Sequence, residues 1–195
     1  MALDDNAVLL AARGDIYTAP SGTAAPTPTV IGSYTDGSGL AADWVNIGHT
    51  SREELPAFGY EGGDTETLGT WQASALRETI TDPAVDYVTF NLHQFDENAL
   101  SLYYGVTDYG STAGSFDVQD SSVSTIKKAL LIVMVDGDVN VAFYSPNASF
   151  RREDSIELAV DSLASLPLRA TFLKMSGNPL FSWISEDIPV NDGSA

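Results

Sequence analysis

Few residues in this chain could carry chemistry, and their spacing argues against most of it. Asp136-Gly-Asp-Val-Asn140 has the oxygen-rich opening of a calcium loop. Its sixth position is Val141, where such a loop turns on Gly, and its twelfth is Asn147, where a bidentate Glu belongs. Both flanks read as strands rather than helices, so the stretch is read as a hairpin turn. Gly59-Tyr-Glu-Gly-Gly-Asp64 is glycine-rich, but no Lys-Ser/Thr pair follows and its two carboxylates would repel a phosphate. His49 and His93 are the only histidines, and neither G-x-S-x-G nor H-E-x-x-H occurs. Each His is therefore read as a hydrogen-bonding residue at a strand end. Glu53 and Glu54 are adjacent, so on a strand they would point to opposite faces and could not share a proton-transfer site. With no Cys, disulfides, thiolate ligands and thiol nucleophiles are all missing. Asn147-Ala-Ser149 fits a glycosylation sequon, which matters only on a secretory route. The expectation is a chain with no catalytic residue, no metal and no cofactor.

The elements that would position these residues are mostly strands. Ala129 to Val135 is an unbroken apolar run, joined through Asp136-Gly137-Asp138 to a second run from Val139 to Tyr144. This predicts a β-hairpin whose first strand is covered on both faces and central to the main sheet. Ala7 to Ala12 could be a strand or an arm. Thr18 to Thr29, with three prolines among small residues, predicts an extended surface linker. Trp44 to Ile47 and Leu55 to Tyr60 read as short strands, and Glu61-Gly-Gly-Asp64 as a sharp turn. Thr65 to Ile80 alternates loosely, with Leu68, Leu76 and Ile80 on one parity and Trp71, Ala73 and Ala75 on the other, so both faces are expected to find partners.

From Val85 to His93 the alternation sets Val88, Phe90 and Leu92 on one face of a strand. One helix is predicted, with Asp96 as N-cap, Gly105 as stop and a stripe of Phe95, Leu100 and Tyr103 or Tyr104. Residues 106 to 124 read as a long loop with a short strand near Ser115 to Val118. Phe150 to Val160 and Leu163 to Lys174 read as strands with one wet face, the second placing Leu166, Leu168, Ala170 and Phe172 inward and Arg169 and Thr171 outward. Leu180 to Ile184 is a last strand. Nine to eleven strands and one helix favour an antiparallel β-sandwich or barrel with a flanking α-helix.

Composition narrows the function classes. At 195 residues and 44% hydrophobic, the chain can bury a core. Met1-Ala-Leu-Asp-Asp lacks the basic start of a signal peptide, and no apolar run approaches the ~20 residues that span a bilayer. The net charge of -18 disfavours attraction to nucleic acid or anionic lipid. Twelve acids lie between Asp36 and Glu97 against only Arg52 and Arg77, whereas Lys127-Lys128 and Arg151-Arg152 are paired bases. Surfaces of opposite sign could meet in an assembly.

One long stretch, Trp44-Val-Asn-Ile-Gly-His-Thr-Ser-Arg-Glu-Glu-Leu-Pro-Ala-Phe-Gly-Tyr-Glu-Gly-Gly-Asp-Thr-Glu-Thr-Leu-Gly-Thr-Trp-Gln72, resembles the major tail protein, or tail tube protein, of siphophages infecting actinobacteria. The likeness continues through Ala75-Leu-Arg-Glu78, Leu92-His-Gln-Phe-Asp-Glu97, Leu102-Tyr-Tyr-Gly105, Lys128-Ala-Leu-Leu-Ile-Val133, Asp136-Gly-Asp138 and Leu166-Pro-Leu-Arg-Ala-Thr-Phe172, covering residues 2 to 185. The resemblance implies a virion structural protein: a β-sandwich subunit with one flanking helix, six of which form a ring, with rings stacking into a hollow tail tube. It implies the tape measure protein in the lumen, tail terminator and tail-tip proteins at the ends, DNA passing without specific binding, assembly in the host cytoplasm and no membrane insertion. Carried onto this chain, it makes residues 1–195 a single tail tube domain, with 1–35 an N-terminal arm and linker, 36–70 an extended loop and hairpin, and 185–195 a flexible tail. Arg52, Glu53 and Glu54 become candidate inter-ring contacts and Arg151 and Arg152 candidate inter-subunit contacts. Alternation offers Glu66, Glu78, Glu153 and Glu157, as polar-face acids of long strands, for the lumen. Competing readings are another hexameric tail component, such as a terminator or baseplate ring protein, and a free β-sandwich binding module using Trp44, Trp71 or Trp183 as its platform. An enzyme would have to turn on His49 or His93.

Overall fold

The computed structural model describes residues 7–119, 125–188 and 190. In chain order the elements are β1 (Arg13–Pro20), α1 (Pro28–Gly32), β2 (Val45–Asn46), β3 (Ala57–Glu61), β4 (Thr65–Thr70) and β5 (Ala73–Ile80). Then follow β6 (Val85–Leu92), α2 (Glu97–Tyr104), β7 (Ile126–Asp136), β8 (Val139–Arg152), β9 (Leu166–Phe172) and β10 (Ser182–Ile184). The class is the expected one: mainly β, antiparallel at every pairing among the described residues, with a helix on the flank.

The β7–β8 hairpin organises the body because its apolar run leaves no wet face. Leu130 and Ile132 enter one core, and Ala129, Leu131 and Val133 enter another on the opposite side. Gly137, at φ +60°, supplies the turn. Near Lys128–Leu130, β8 carries one residue more than β7, and Pro146 lies in this bulged stretch. A bulge is where a central strand tolerates a missing N–H. There β8 changes neighbour, since β10 pairs with Ala142–Tyr144 and β9 with Ala148–Arg152.

The main sheet runs β2-β1-β7-β8-β9-β6-β3 and doubles over on itself. Phe58 of β3 meets Phe143 of β8 across the interior, with ring centroids 4.6 Å apart. Val88, Phe90 and Leu92 join Leu166, Leu168 and Phe150 inside this fold, and α2 caps it with Ala99, Leu102 and Tyr103. Asp96 accepts a hydrogen bond from the Ala99 N–H at 2.9 Å, and Gly105 ends the helix at φ +69°. Ile31 of α1, Tyr34 and Trp44 cover the second core.

Several sequence expectations are corrected. Thr18–Pro20 complete β1, opposite Leu130 to Lys128, and Thr27 caps a second helix that begins at Pro28; the 18–29 stretch is not one linker. The helix stripe is Ala99, Leu102 and Tyr103, while Phe95 is exposed. No strand forms at 115–118. Strand β8 stops at Arg152, because its neighbour β9 begins only at Leu166 and residues 153–160 have no ladder to join. Glu153 and Glu157 therefore lie in an irregular segment, not in a long strand. Arg169 is on the outward face yet only 4% exposed. Residues 189 and 191–195 of the expected tail, and the expected arm's residues 1–6, lie outside the described residues. Among those described, no helix is long and apolar enough to cross a membrane.

Candidate assembly surfaces

Strands β4 and β5 form a two-stranded sheet of their own, and no residue in either is buried. Among the described residues, none buries either face of Thr65 to Ile80, where partners are expected. Register places Glu66 with Thr79 and Leu68 with Arg77 on one face, and Thr65 with Ile80 and Thr67 with Glu78 on the other, where Leu76 also falls. Both faces thus show large apolar side chains: Leu68 on the first, and Leu76 and Ile80, each 67% exposed, on the second. At the tip, Trp71 and Gln72 link Thr70 to Ala73, and Trp71 is 99% exposed. The Thr70 hydroxyl accepts a hydrogen bond from the Ala73 N–H. A lone two-stranded hairpin is marginal in water, and apolar faces of this size mark contact surfaces.

The root of the hairpin is firmly held. Gly62 and Gly63 turn out of β3 at φ +76° and +82°, and Gly63 N–H donates to the Asp82 carbonyl while Thr81 N–H donates to that of Asp64. Behind this turn Arg169 of β9 donates a hydrogen bond to Glu61 at 2.7 Å, makes a second ion-pair contact with it at 2.6 Å and a longer one of 3.5 Å to Glu153. Its guanidinium lies 3.5 Å above the Tyr87 ring. Tyr87 in turn lies across Gly59, where any Cβ would come within 2.8 Å of the ring. The hydrogen bonds from Arg169 hold the Glu61 carboxyl below its ordinary range.

Each sequence-predicted residue can now be placed. Glu66 and Glu78 lie on opposite faces of the hairpin. Glu153 is partly covered and already paired with Arg169, whereas Glu157 is exposed in the 153–165 segment. Arg52, Glu53 and Glu54 sit together on the exposed loop before β3, where Glu54 accepts from the Asn91 side chain. Arg151 and Arg152 are exposed at the end of β8, with Arg151 directly opposite Arg169. Of the hairpin's exposed apolar residues, Trp71 was singled out only as the platform of a free binding module, and Leu76 and Ile80 not as sites at all. Their signal was present: apolar residues on both parities of a segment isolated between Gly62-Gly63 and Asp82-Pro83.

Chemically the molecule offers surfaces rather than a reaction centre. His93 bonds the Ala164 carbonyl through Nδ1 at 3.0 Å, a structural contact. Among the described residues no cluster of three or more His, Asp or Glu could hold a metal ion.

The phage tail tube protein family matches residues 1–194 of the chain. The chain is 47% identical over 192 residues to the Major tail protein Gp23 of Mycobacterium phage D29, with 96% of each protein covered. To the Major tail protein Gp23 of Mycobacterium phage L5 it is 46% identical over the same length and coverage.

Proposed function

The chain belongs to the phage tail tube protein family, and from that premise we propose that six copies close into a ring and that rings stack into a hollow tube through which DNA passes. As a member it is a structural protein of the virion tail and not an enzyme. The β4–β5 hairpin carries the proposal, because it exposes large apolar side chains on both faces and no described residue covers it. A neighbouring copy would complete it, giving the apolar side chains the layer they lack. On this reading residues 1–195 are one tail tube domain, with 1–35 its arm and linker, 36–70 its extended loop and hairpin, and 185–195 its tail.

An acidic bore would let DNA pass without adhering, since a polymer with one charge per ~1.7 Å is repelled over a Debye length of about 8 Å. Glu66, Glu78, Glu153 and Glu157 are the candidate bore acids. Glu66 and Glu78 lie on opposite faces of the hairpin, so only one of them lines a bore on a given side. Of the other two, Glu157 is unpaired among the described residues, whereas Glu153 shares Arg169 with Glu61. Arg52, Glu53 and Glu54 are the proposed inter-ring contacts, and Arg151 and Arg152 the inter-subunit ones. The partners are then the tape measure protein inside, and terminator and tail-tip proteins at the ends, with assembly in the host cytoplasm.

Negative-stain electron microscopy of the purified protein, with its mass in solution, tests the reading. Hollow tubes or six-fold rings are expected. A protein that stays monomeric at high concentration, even with a tail-tip complex added as nucleus, would overturn it.

A further inference from the structure

We propose that Trp71 is a knob that seats in an apolar cavity of a second copy of this chain. The proposal rests on the self-assembly reading above and names the anchor and its socket. The cavity lies where the doubled sheet brings β1 and β3 face to face without pairing them. Ile16, Ile132 and Met134 line one side and Leu55 and Phe58 the other, with exposed Arg13 also on its wall. Its volume of about 130 Å³ suits a single aromatic group. For scale, a dry cavity of about 150 Å³ lined by Leu, Ile and Phe binds benzene.

Trp71 matches this socket in position and chemistry. Being 99% exposed, it does not occupy its own chain's cavity. Strand β4 carries it roughly 20 Å from the Gly62-Gly63 turn, at about 3.4 Å per residue. The tip is held in shape: a Cβ on Gly69 would meet the Ser74 carbonyl oxygen at 2.5 Å, so the bulge there requires glycine. Leu68 and Leu76 stand on opposite faces behind the indole and present an apolar collar to the cavity mouth, where Leu55 and Phe58 are themselves exposed. Because knob and socket are different patches of one chain, every copy can give one and receive one, and in a head-to-tail arrangement the contact passes from copy to copy.

Two full-length variants separate the halves of the contact: Trp71→Ala removes the knob, and Ala11→Trp, at an exposed position on the cavity wall, fills the socket. In sedimentation velocity each variant alone should need a concentration about thirtyfold higher than wild type to associate, the loss typical of a central aromatic anchor. Far-UV circular dichroism of each monomer should keep the wild-type β-sheet spectrum. Mixed in equal amounts they should form a two-chain complex, since one retains its knob and the other its socket. A mixture that stays monomeric, or Trp71→Ala associating at the wild-type concentration, overturns knob and socket while leaving tube formation standing. Wild-type protein that never self-associates overturns the parent reading as well. The absence of Cys allows an independent readout: Gln72→Cys combined with Ala11→Cys should give, on mild oxidation of the associated protein, a ladder of disulfide-linked multimers. Assembly without a ladder contradicts the proposal.

Discussion

Two hairpins of the same chain, β7–β8 and β4–β5, have apolar residues on both faces and reach opposite ends. In β7 every residue from Ala129 to Val133 is buried; in β4 and β5 none is. The difference lies in neighbours. Strands β1, β9 and β10 flank the first pair, and α1, α2 and the far half of the sheet cover it, whereas β4 and β5 have only each other. Composition anticipates this division. The first pair is apolar without interruption, but the second is diluted with Thr65, Thr67, Thr79, Glu66, Glu78 and Arg77, which keep an uncovered sheet soluble until a partner arrives. One region is stabilised by its own chain, and the other is the one we propose a second copy completes.

Substitutions in the body and in the hairpin should affect the monomer very differently. Phe143→Ala should cost about 3–5 kcal/mol, because its ring touches Phe58, Phe172, Phe181 and Trp183. Thermal unfolding should show a midpoint roughly 10 °C lower. Arg169→Met should cost about 2 kcal/mol by removing charged hydrogen bonds that fix the hairpin root, read as a lower urea midpoint.

Glu61→Gln gives a pH signature at the same place. The folded-state Glu61 carboxyl titrates below its ordinary value of 4.5, chiefly through the Arg169 hydrogen bonds. Its contribution is therefore complete above pH 4.5 and fades as pH falls through the lower folded value. The stability gap between wild type and Glu61→Gln should be constant from pH 7 to about 4.5 and close in more acidic solution. Leu76→Ser should change monomer stability least, by no more than about 0.5 kcal/mol, since the side chain touches no core. It should nonetheless impair association in sedimentation, and an equal loss of monomer stability would erase the distinction between the hairpins.

The body was legible in the sequence because burial there follows local pattern. The run from Ala129 to Val135, the alternation in Val85 to Leu92 and the Asp96 and Gly105 caps each appear where periodicity and cap chemistry put them. Pattern failed where a strand needs a partner. Residues 153–160 alternate as well as any strand, yet β9 starts too late to pair with them. Arg169 reads as an outward cation, but Tyr87 and Glu61, distant in sequence, bury it. The proposed assembly surface was only half legible: the apolar residues of 65–80 stood out, but that no described layer covers them depends on topology.

Hydrogen exchange across residues 65–80, in the dispersed monomer and in the associated protein, tests most directly whether a neighbouring copy completes the β4–β5 hairpin. Amides of β4 and β5 should exchange far faster than those of β7 and β8 in the monomer and become strongly protected on association. Equal protection of the hairpin in both states would contradict the account.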